Sequence, residues 1–375
     1  MEKPLFNLPA YYYSRFYHCL LPILSKLPVS QQIKIASRGR LFFMQQFSKQ
    51  KFIQTDTFSE NNRLSKTLWG IKFRTPLGNS AGMFKNGEGY DTVAKLGAGF
   101  YIGGTSTANP RNGNSKNGID LPFINLPKSG AAINWLGLPN LGDDKLHKKI
   151  ITESKLADCP IGWSVMRSPD YAESEGIEHL INSLWLCHDN PQIDFLELNE
   201  SCPNIKAGGG NIIPRIEQIS IAFLQKRQRK LPIILKISND IDENALVEII
   251  HSAINLGFDG INLGNTSTNY VDLRNWIDLD DRKLFDYFTQ TFGGGVSGKV
   301  LGNNSLTLCA TAVNEVRRIK PQQEFHVIRS GGINSPEDIA ASEKIGVSLN
   351  QWYTGFFDNY TRYGNNVYKN LYAGK

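Results

Sequence analysis

Beyond residue 67 the chain alternates short apolar runs with stretches of helical spacing. The apolar runs predict strands at Thr75–Ala81, Phe100–Gly103, Ile161–Val165, Phe195–Asn199, Ile233–Ile237, Gly260–Leu263, His326–Arg329 and Leu349–Trp352. Between most of them, apolar residues recur three and four apart: Gly89–Leu96, Ser174–Cys187, Ile216–Arg229, Glu243–Leu256, Ser305–Ile319 and Pro336–Lys344 predict helices. Eight strands with helices between them predict an α/β fold, a (β/α)8 TIM barrel of about 300 residues. An open doubly wound sheet is the alternative. The even spacing and the lack of an early GxGxxG after a strand count against it.

The first 66 residues carry a different pattern, so the chain divides into an N-terminal helical segment with its linker (1–66) and a barrel (67–375). "LPAYYYSRFYHCLLPILSKLP" and "VSQQIKIASRGRLFFMQQFSKQKF" predict two amphipathic helices with Arg and Lys beside large apolar faces. Such helices fit a segment lying in a membrane interface. The alternative is a helical hairpin packed on its own domain. Neither stretch has the roughly 18 uninterrupted apolar residues of a bilayer span, and neither has the layout of a secretory signal.

Charge sharpens this division. The formal net charge is +6, yet residues 1–66 hold 10 Lys/Arg against 3 Asp/Glu, a balance of +7, which leaves −1 for the rest. Basicity belongs to the N-terminal segment, so a nucleic-acid groove is not expected. The five cysteines are scattered, without disulfide-framework or metal-ligand spacing; no metal is expected, and a reducing compartment suits them.

A barrel carries its site at the C-terminal ends of its strands. There this chain is rich in glycine, asparagine and hydroxyls: "NSAGMFKNGEG", "GGTSTANPRNGN", "NESCPN", "GNTSTN", "RSGGIN" and "YTGFF". Gly331 and Gly332 fall between a strand and a helix, Thr354 and Gly355 follow the last strand, and "GGGVSGK" adds small residues at 293–299. Loops after strands seven and eight commonly cradle a phosphate with backbone N–H groups, so a bound phosphate is expected. Lys85, Asn134, Asn199, Asn204 and Asn265 could converge on a planar ring bearing carbonyls, N–H groups and one carboxylate. Singly, each asparagine would be read as turn chemistry. Lys236 interrupts the apolar strand "PIILKIS"; inside a barrel it must be paired or serve an anion, whereas outside it would snorkel. Cys202 sits in a polar loop, although cysteine usually packs inside.

These segments resemble the dihydroorotate dehydrogenase family, FMN-dependent (β/α)8 barrels of pyrimidine synthesis. "INWLGLPNLG" and "ELNESCPN" are similar to its class 1 signatures. "SAGMFKNGE" and the apolar N-terminal extension are similar to class 2, the membrane-associated, quinone-reducing branch. "GGGVSGK", "SGGINSPEDI" and "YTGFF" are similar to FMN phosphate segments of both. The resemblance implies that Cys202 is the catalytic base and that Asn134, Asn199, Asn204, Asn265 and Thr266 contact dihydroorotate, with Lys85 beside them. It implies FMN contacts at Ala81, Gly82, Thr105, Ser164, Lys236, Gly298, Gly331, Gly332, Tyr353 and Thr354. It further implies that a base takes the C5 proton while a hydride passes from C6 to FMN.

The chain mixes the branches. Class 2 members use serine where this chain has Cys202, and class 1 members carry a lysine where it has Gly104. Leu138 follows class 1, and Ser164 replaces an asparagine expected near the flavin. The N-terminal segment implies a quinone reached from a membrane surface, and so a peripheral location on the cytoplasmic face of the inner or plasma membrane, or the mitochondrial inner membrane in a eukaryote. If the segment only packs on the barrel, the location is cytoplasmic. The alternative acceptor is a soluble one such as fumarate, NAD through an iron–sulfur partner being disfavoured by the extension. The alternative substrate is another dihydropyrimidine or an activated alkene, and a flavin-binding scaffold without activity is the non-enzymatic alternative.

Overall fold

The computed structural model describes residues 9–50, 63–148, 155–200 and 212–372. Eight strands form the barrel: β1 Leu77–Asn79, β2 Tyr101–Ser106, β3 Ile161–Val165, β4 Phe195–Asn199, β5 Ile233–Ile237, β6 Gly260–Leu263, β7 His326–Ser330 and β8 Leu349–Trp352. Neighbours run parallel from β2 through β8, and β8 pairs with β1. One parallel bridge between Gly78 and Phe100 completes the cylinder. Every residue of β3, β4 and β5 is buried. A sheet covered on both faces requires this, and it is why these strands read as continuous apolar runs.

Alternation along the strands divides the core. Leu196, Leu198, Leu235 and Ile261 face outward under the helices. Phe100, Phe195, Ile234, Ile328 and Leu349 fill the barrel floor together with Leu68, Trp69 and Phe73. The last three come from a hairpin, Lys66–Leu68 with Ile71–Phe73, that plugs the N-terminal end. Trp69 Nε1 donates to the Asp259 carbonyl there at 3.0 Å. Three-residue strands are too short for a sequence period to register, so the hairpin was not expected.

The helix expected at Ile216–Arg229 runs instead over Ile212–Ile219 and one π turn, Ser220–Leu224. The basic run that follows leaves the helix because its arginines have other partners. Arg227 donates to the Leu231 carbonyl at 2.7 Å and pairs with Asp259 at 3.0 Å, and Arg229 donates to the Ile193 carbonyl at 2.8 Å.

The two N-terminal helices form as expected, α1 at Pro9–Leu24 and α2 at Val29–Ser48. α2 buries Val29, Ile33, Ala36, Phe43, Met44 and Phe47. Phe47 meets Tyr360 and Phe356 edge-on, with ring centroids 5.1 and 5.5 Å apart. The packed-hairpin alternative therefore holds for α2, which packs on the barrel's outer layer against the helix Thr354–Tyr363. α1 and the outer side of α2 leave Tyr12, Phe16, Ile23, Leu41 and Phe42 exposed. No described helix is long and apolar enough to cross a membrane.

A three-stranded antiparallel sheet, Phe123–Leu126, Ala131–Asn134 and Gly295–Gly298, forms from insertions after β2 and β6. α2 packs on it through Ile33 and Ala36. "GGGVSGK" is thus mostly an edge strand, and Gly298 lies at its end.

Candidate functional site

At the C-terminal mouth the interior turns from apolar to polar and opens into a cavity of about 130 Å³. Ala81, Gly82 and Lys85 enter from the segment after β1, Thr105 from β2, Asn199 from the end of β4 and Lys236 from β5. Asn265 and Thr266 follow β6, Gly331 and Gly332 follow β7, and Tyr353 and Thr354 follow β8. Asn134 and Gly298 reach the same cavity from the small sheet. The structure thus brings together residues scattered over more than 270 positions of sequence. Cys202 and Asn204 lie outside the described residues; Glu200 is the last described residue before them.

Hydrogen bonds fix one wall. Thr266 N–H donates to Asn265 Oδ1 at 2.8 Å, which turns Asn265 Nδ2 toward Asn199 Oδ1 at 3.3 Å. Asn199 Nδ2 donates to Thr105 Oγ1 at 3.1 Å, and Thr105 Oγ1 lies 2.9 Å from Ser164 Oγ. Ser164 is fully buried behind Thr105 and does not line the cavity. Thr266 Oγ1 is buried and has no hydrogen-bond partner among the described residues. A buried hydroxyl left so is the group a ligand would satisfy.

The opposite end is built for an anion. Gly331 and Gly332 lie beside the starts of two helices, Gly302–Ile319 and Thr354–Tyr363. First-turn N–H groups lack intrahelical acceptors and attract phosphate. The space leaves no room for side chains. A Cβ on Gly332, at φ +78°, would lie 2.2 Å from Gly302 Cα, and one on Gly298, at φ +105°, 2.3 Å from the Gly130 carbonyl oxygen. Ser297 Oγ and Thr354 Oγ1 are 2.9 Å apart on the same side. Tyr353 is held through its hydroxyl by Arg40 Nε of α2 at 3.1 Å. A glycine-lined end beside helix starts and amides at the other end suit a ligand with one anionic end and one planar, hydrogen-bonding end.

Beneath the cavity Lys236 points inward. It is 4% exposed and its Nζ lies 3.1 Å from Oε1 of Glu197, which is 1% exposed. The inward alternative holds, and the pairing it required is met. Glu197 Oε2 accepts from Asn262 Nδ2 at 2.7 Å and Gln351 Nε2 at 2.8 Å. Sequence reading missed Glu197, Asn262, Gln351 and Ser330. A signal existed for Glu197, because strand alternation puts Phe195, Glu197 and Asn199 on one face.

Flanking the segment that carries Cys202, Arg215 Nε pairs with Glu200 Oε2 at 3.0 Å and Arg215 Nη1 with Glu173 at 3.3 Å. Burial pushes the Glu200 carboxyl up, and Arg215 opposes that shift. A larger cleft of about 1560 Å³ runs between the N-terminal helices and the barrel. Tyr17, His18, Arg40 and Phe43 line it, and it shares Leu301, Gly332, Tyr353 and Thr354 with the inner cavity.

The chain matches known proteins along most of its length. The profile of the family described as dihydroorotate dehydrogenase matches residues 63–373. A Photobacterium profundum protein named dihydroorotate dehydrogenase (quinone) is 30% identical over 301 residues, which cover 77% of this chain and 81% of that protein. One of the same name from Dechloromonas aromatica is 28% identical over 304 residues, 77% of this chain and 80% of the relative. Among solved structures, an Eimeria tenella DHODH in complex with ferulenol superposes with a TM-score of 0.71 at 21% identity, covering 94% of this chain and 92% of that one.

Proposed function

This chain belongs to the dihydroorotate dehydrogenase family, which is flavin-dependent, and we propose on that premise that it oxidises dihydroorotate to orotate in pyrimidine biosynthesis, with FMN as its flavin and a quinone as electron acceptor. The observation that carries the reading is the convergence of Lys85, Asn134, Asn199, Asn265 and Thr266 on the cavity whose far end is the glycine cradle. A phosphate on the cofactor gives that cradle its occupant, which favours FMN over unphosphorylated riboflavin.

FMN supplies a two-electron acceptor for the C5–C6 bond of the substrate. The protein's residues do the rest. Asn199 and Asn265, already fixed by their mutual hydrogen bond, hold the ring's amide edges. Asn134 meets the ring from the small sheet, and Lys85 supplies a cation for the carboxylate. Asn204 and Cys202 come from the segment after β4, and Cys202 as thiolate takes the C5 proton. Lys236 offers positive charge at the cavity floor, which would favour the reduced form of a bound flavin.

Support for a quinone comes from the wide cleft, which lies under the N-terminal helices and meets the inner cavity at Tyr353 and Thr354. Phe16 and Ile23, each 63% exposed on α1, give that side an apolar face suited to a peripheral membrane contact. Relatives named dihydroorotate dehydrogenase (quinone) support the same acceptor.

The test is steady-state turnover of dihydroorotate with a short-chain quinone and, separately, with fumarate, combined with liposome flotation. Quinone turnover well above fumarate turnover is expected, and flotation should be lost in Phe16→Asp/Ile23→Asp. Turnover with fumarate alone overturns the quinone assignment. Unchanged flotation in the double variant overturns the membrane contact.

A further inference from the structure

We propose that Glu197 is a positioning residue for Lys236, keeping its ammonium charged and fixed at the cavity floor. The inference rests on the flavin-dependent reading of that cavity. Lys236, Ser330 and Gln351 line the cavity, whereas Glu197 lies beneath them. Glu197 therefore makes no contact with the contents of the cavity, and its hold on Lys236 is its route to a bound flavin.

Five successive strands contribute to the arrangement. Glu197 stands on β4, Lys236 on β5, Asn262 on β6, Ser330 on β7 and Gln351 on β8. One carboxylate oxygen of Glu197 faces Lys236 Nζ at 3.1 Å. The other accepts from Asn262 at 2.7 Å and from Gln351 at 2.8 Å. The carbonyl ends of those two amides meet Ser330 Oγ at 3.0 and 2.9 Å. Ser330 has a single proton to share between them, so its hydroxyl serves one amide at a time. The amides hold the carboxylate in place, and the carboxylate holds the ammonium.

Burial makes the pairing consequential. An ammonium at this depth loses favour against the neutral amine unless an anion stands beside it. β6, β7 and β8 present to it Asn262, Ser330 and Gln351, which do not titrate, and the other described cation lining the cavity is Lys85. Among the described residues, Glu197 is the carboxylate paired with Lys236 at this floor. Class-mixing at Cys202 and the N-terminus does not touch this layer, which belongs to the barrel itself.

Glu197→Gln isolates the effect. The glutamine oxygen still accepts from Asn262 and Gln351, while its NH2 faces Lys236 donor to donor. The midpoint potential of the bound flavin is measured from pH 6 to pH 9 in the parent, Glu197→Gln and Lys236→Met. The Glu197→Gln potential should lie at or above the parent's at pH 6 and fall to the Lys236→Met value by pH 9. A Glu197→Gln curve parallel to the parent's across the range overturns the proposal.

A thermal-melting cycle without added flavin gives a second readout. Lys236→Met should restore much of the melting temperature lost in Glu197→Gln, and losses that simply add contradict the pairing. Should Glu197→Gln fail to fold, a folded Glu197→Gln/Lys236→Met double variant supports the pairing and an unfolded one overturns it. A parent chain that binds no flavin sinks the proposed function instead, and the melting cycle then decides this inference alone.

Discussion

The side chain of Asn265 donates to that of Asn199 at 3.3 Å, although β5 separates the strands that carry them. The two amides thus form one preassembled edge, braced by Thr266 on one side and Thr105 on the other. Loss of one amide should unsettle its neighbour. Asn199→Ala and Asn265→Ala are each expected to slow flavin reduction by dihydroorotate by roughly 10- to 100-fold, the scale of a lost buried hydrogen bond or two. The double variant should be slower by less than the product of the two. Anaerobic stopped-flow on the three variants measures this, and effects that multiply would mean the asparagines act independently.

The glycine cradle predicts cofactor choice. Gly332→Ala places a Cβ 2.2 Å from Gly302 Cα in a left-handed conformation, so the backbone must move where the phosphate sits. FMN affinity should fall at least about 10-fold while riboflavin, lacking the phosphate, is affected much less. Fluorescence titration of both ligands on parent and variant tests it; equal losses for the two would place the phosphate elsewhere.

The described thiols fall into two kinds. Burial pushes Cys159 up to about 11 and Cys309 up to about 12, and it raises Cys187 as well, whereas Cys19 is exposed. Iodoacetamide at pH 7.5 should therefore modify Cys19 and spare the three buried residues. In a Cys19→Ser chain, remaining alkylation should map to Cys202 and abolish reduction by dihydroorotate. Alkylation of Cys202 with full retention of activity would remove it from the base role.

His147 gives the fold a pH dependence. It lies on the short helix Asp143–His147 with Nε2 3.5 Å from the Cys187 thiol, and burial lowers its pKa below the usual 6.5. The folded chain thus favours neutral imidazole. This contribution is complete above pH 6.5 and is lost as pH falls through the lowered value. Burial raises the Asp143 carboxyl one turn away, and that group acts in the opposite direction, losing its contribution as pH rises through its folded value. Between pH 7 and 5 the melting temperature of the parent should drop more steeply than that of His147→Gln. Parallel curves would show that His147 does not titrate against the fold.

Much of this architecture was legible in the chain. The barrel strands stood out because parallel strands buried on both faces become unbroken apolar runs, and the site because glycine, asparagine and hydroxyl residues follow those runs. Lys236 was legible as the charge that breaks a strand. For its partner Glu197 alternation gave the face, shared with Phe195 and Asn199, but not the neighbour that the carboxylate would meet. Only the register of β4 beside β5, which sets Asn199 opposite Lys236, puts the carboxylate within reach of the ammonium. The small sheet was missed because its strands are drawn from two insertions about 160 residues apart, and the edge strand Gly295–Gly298 is half glycine. α2 was ambiguous for a physical reason: Phe43 and Phe47 pack against the helix Thr354–Tyr363 while Leu41 and Phe42 stay exposed. One helix answers both descriptions.

The central claim is that dihydroorotate reduces a flavin held in this cavity, with Cys202 taking the proton. Anaerobic addition of dihydroorotate to the purified holoprotein, followed by flavin absorbance, measures this directly. The account predicts rapid bleaching in the parent and, in a Cys202→Ala chain that keeps its flavin, bleaching slower by about 100-fold or more. A flavin-loaded parent whose absorbance is indifferent to dihydroorotate would contradict it.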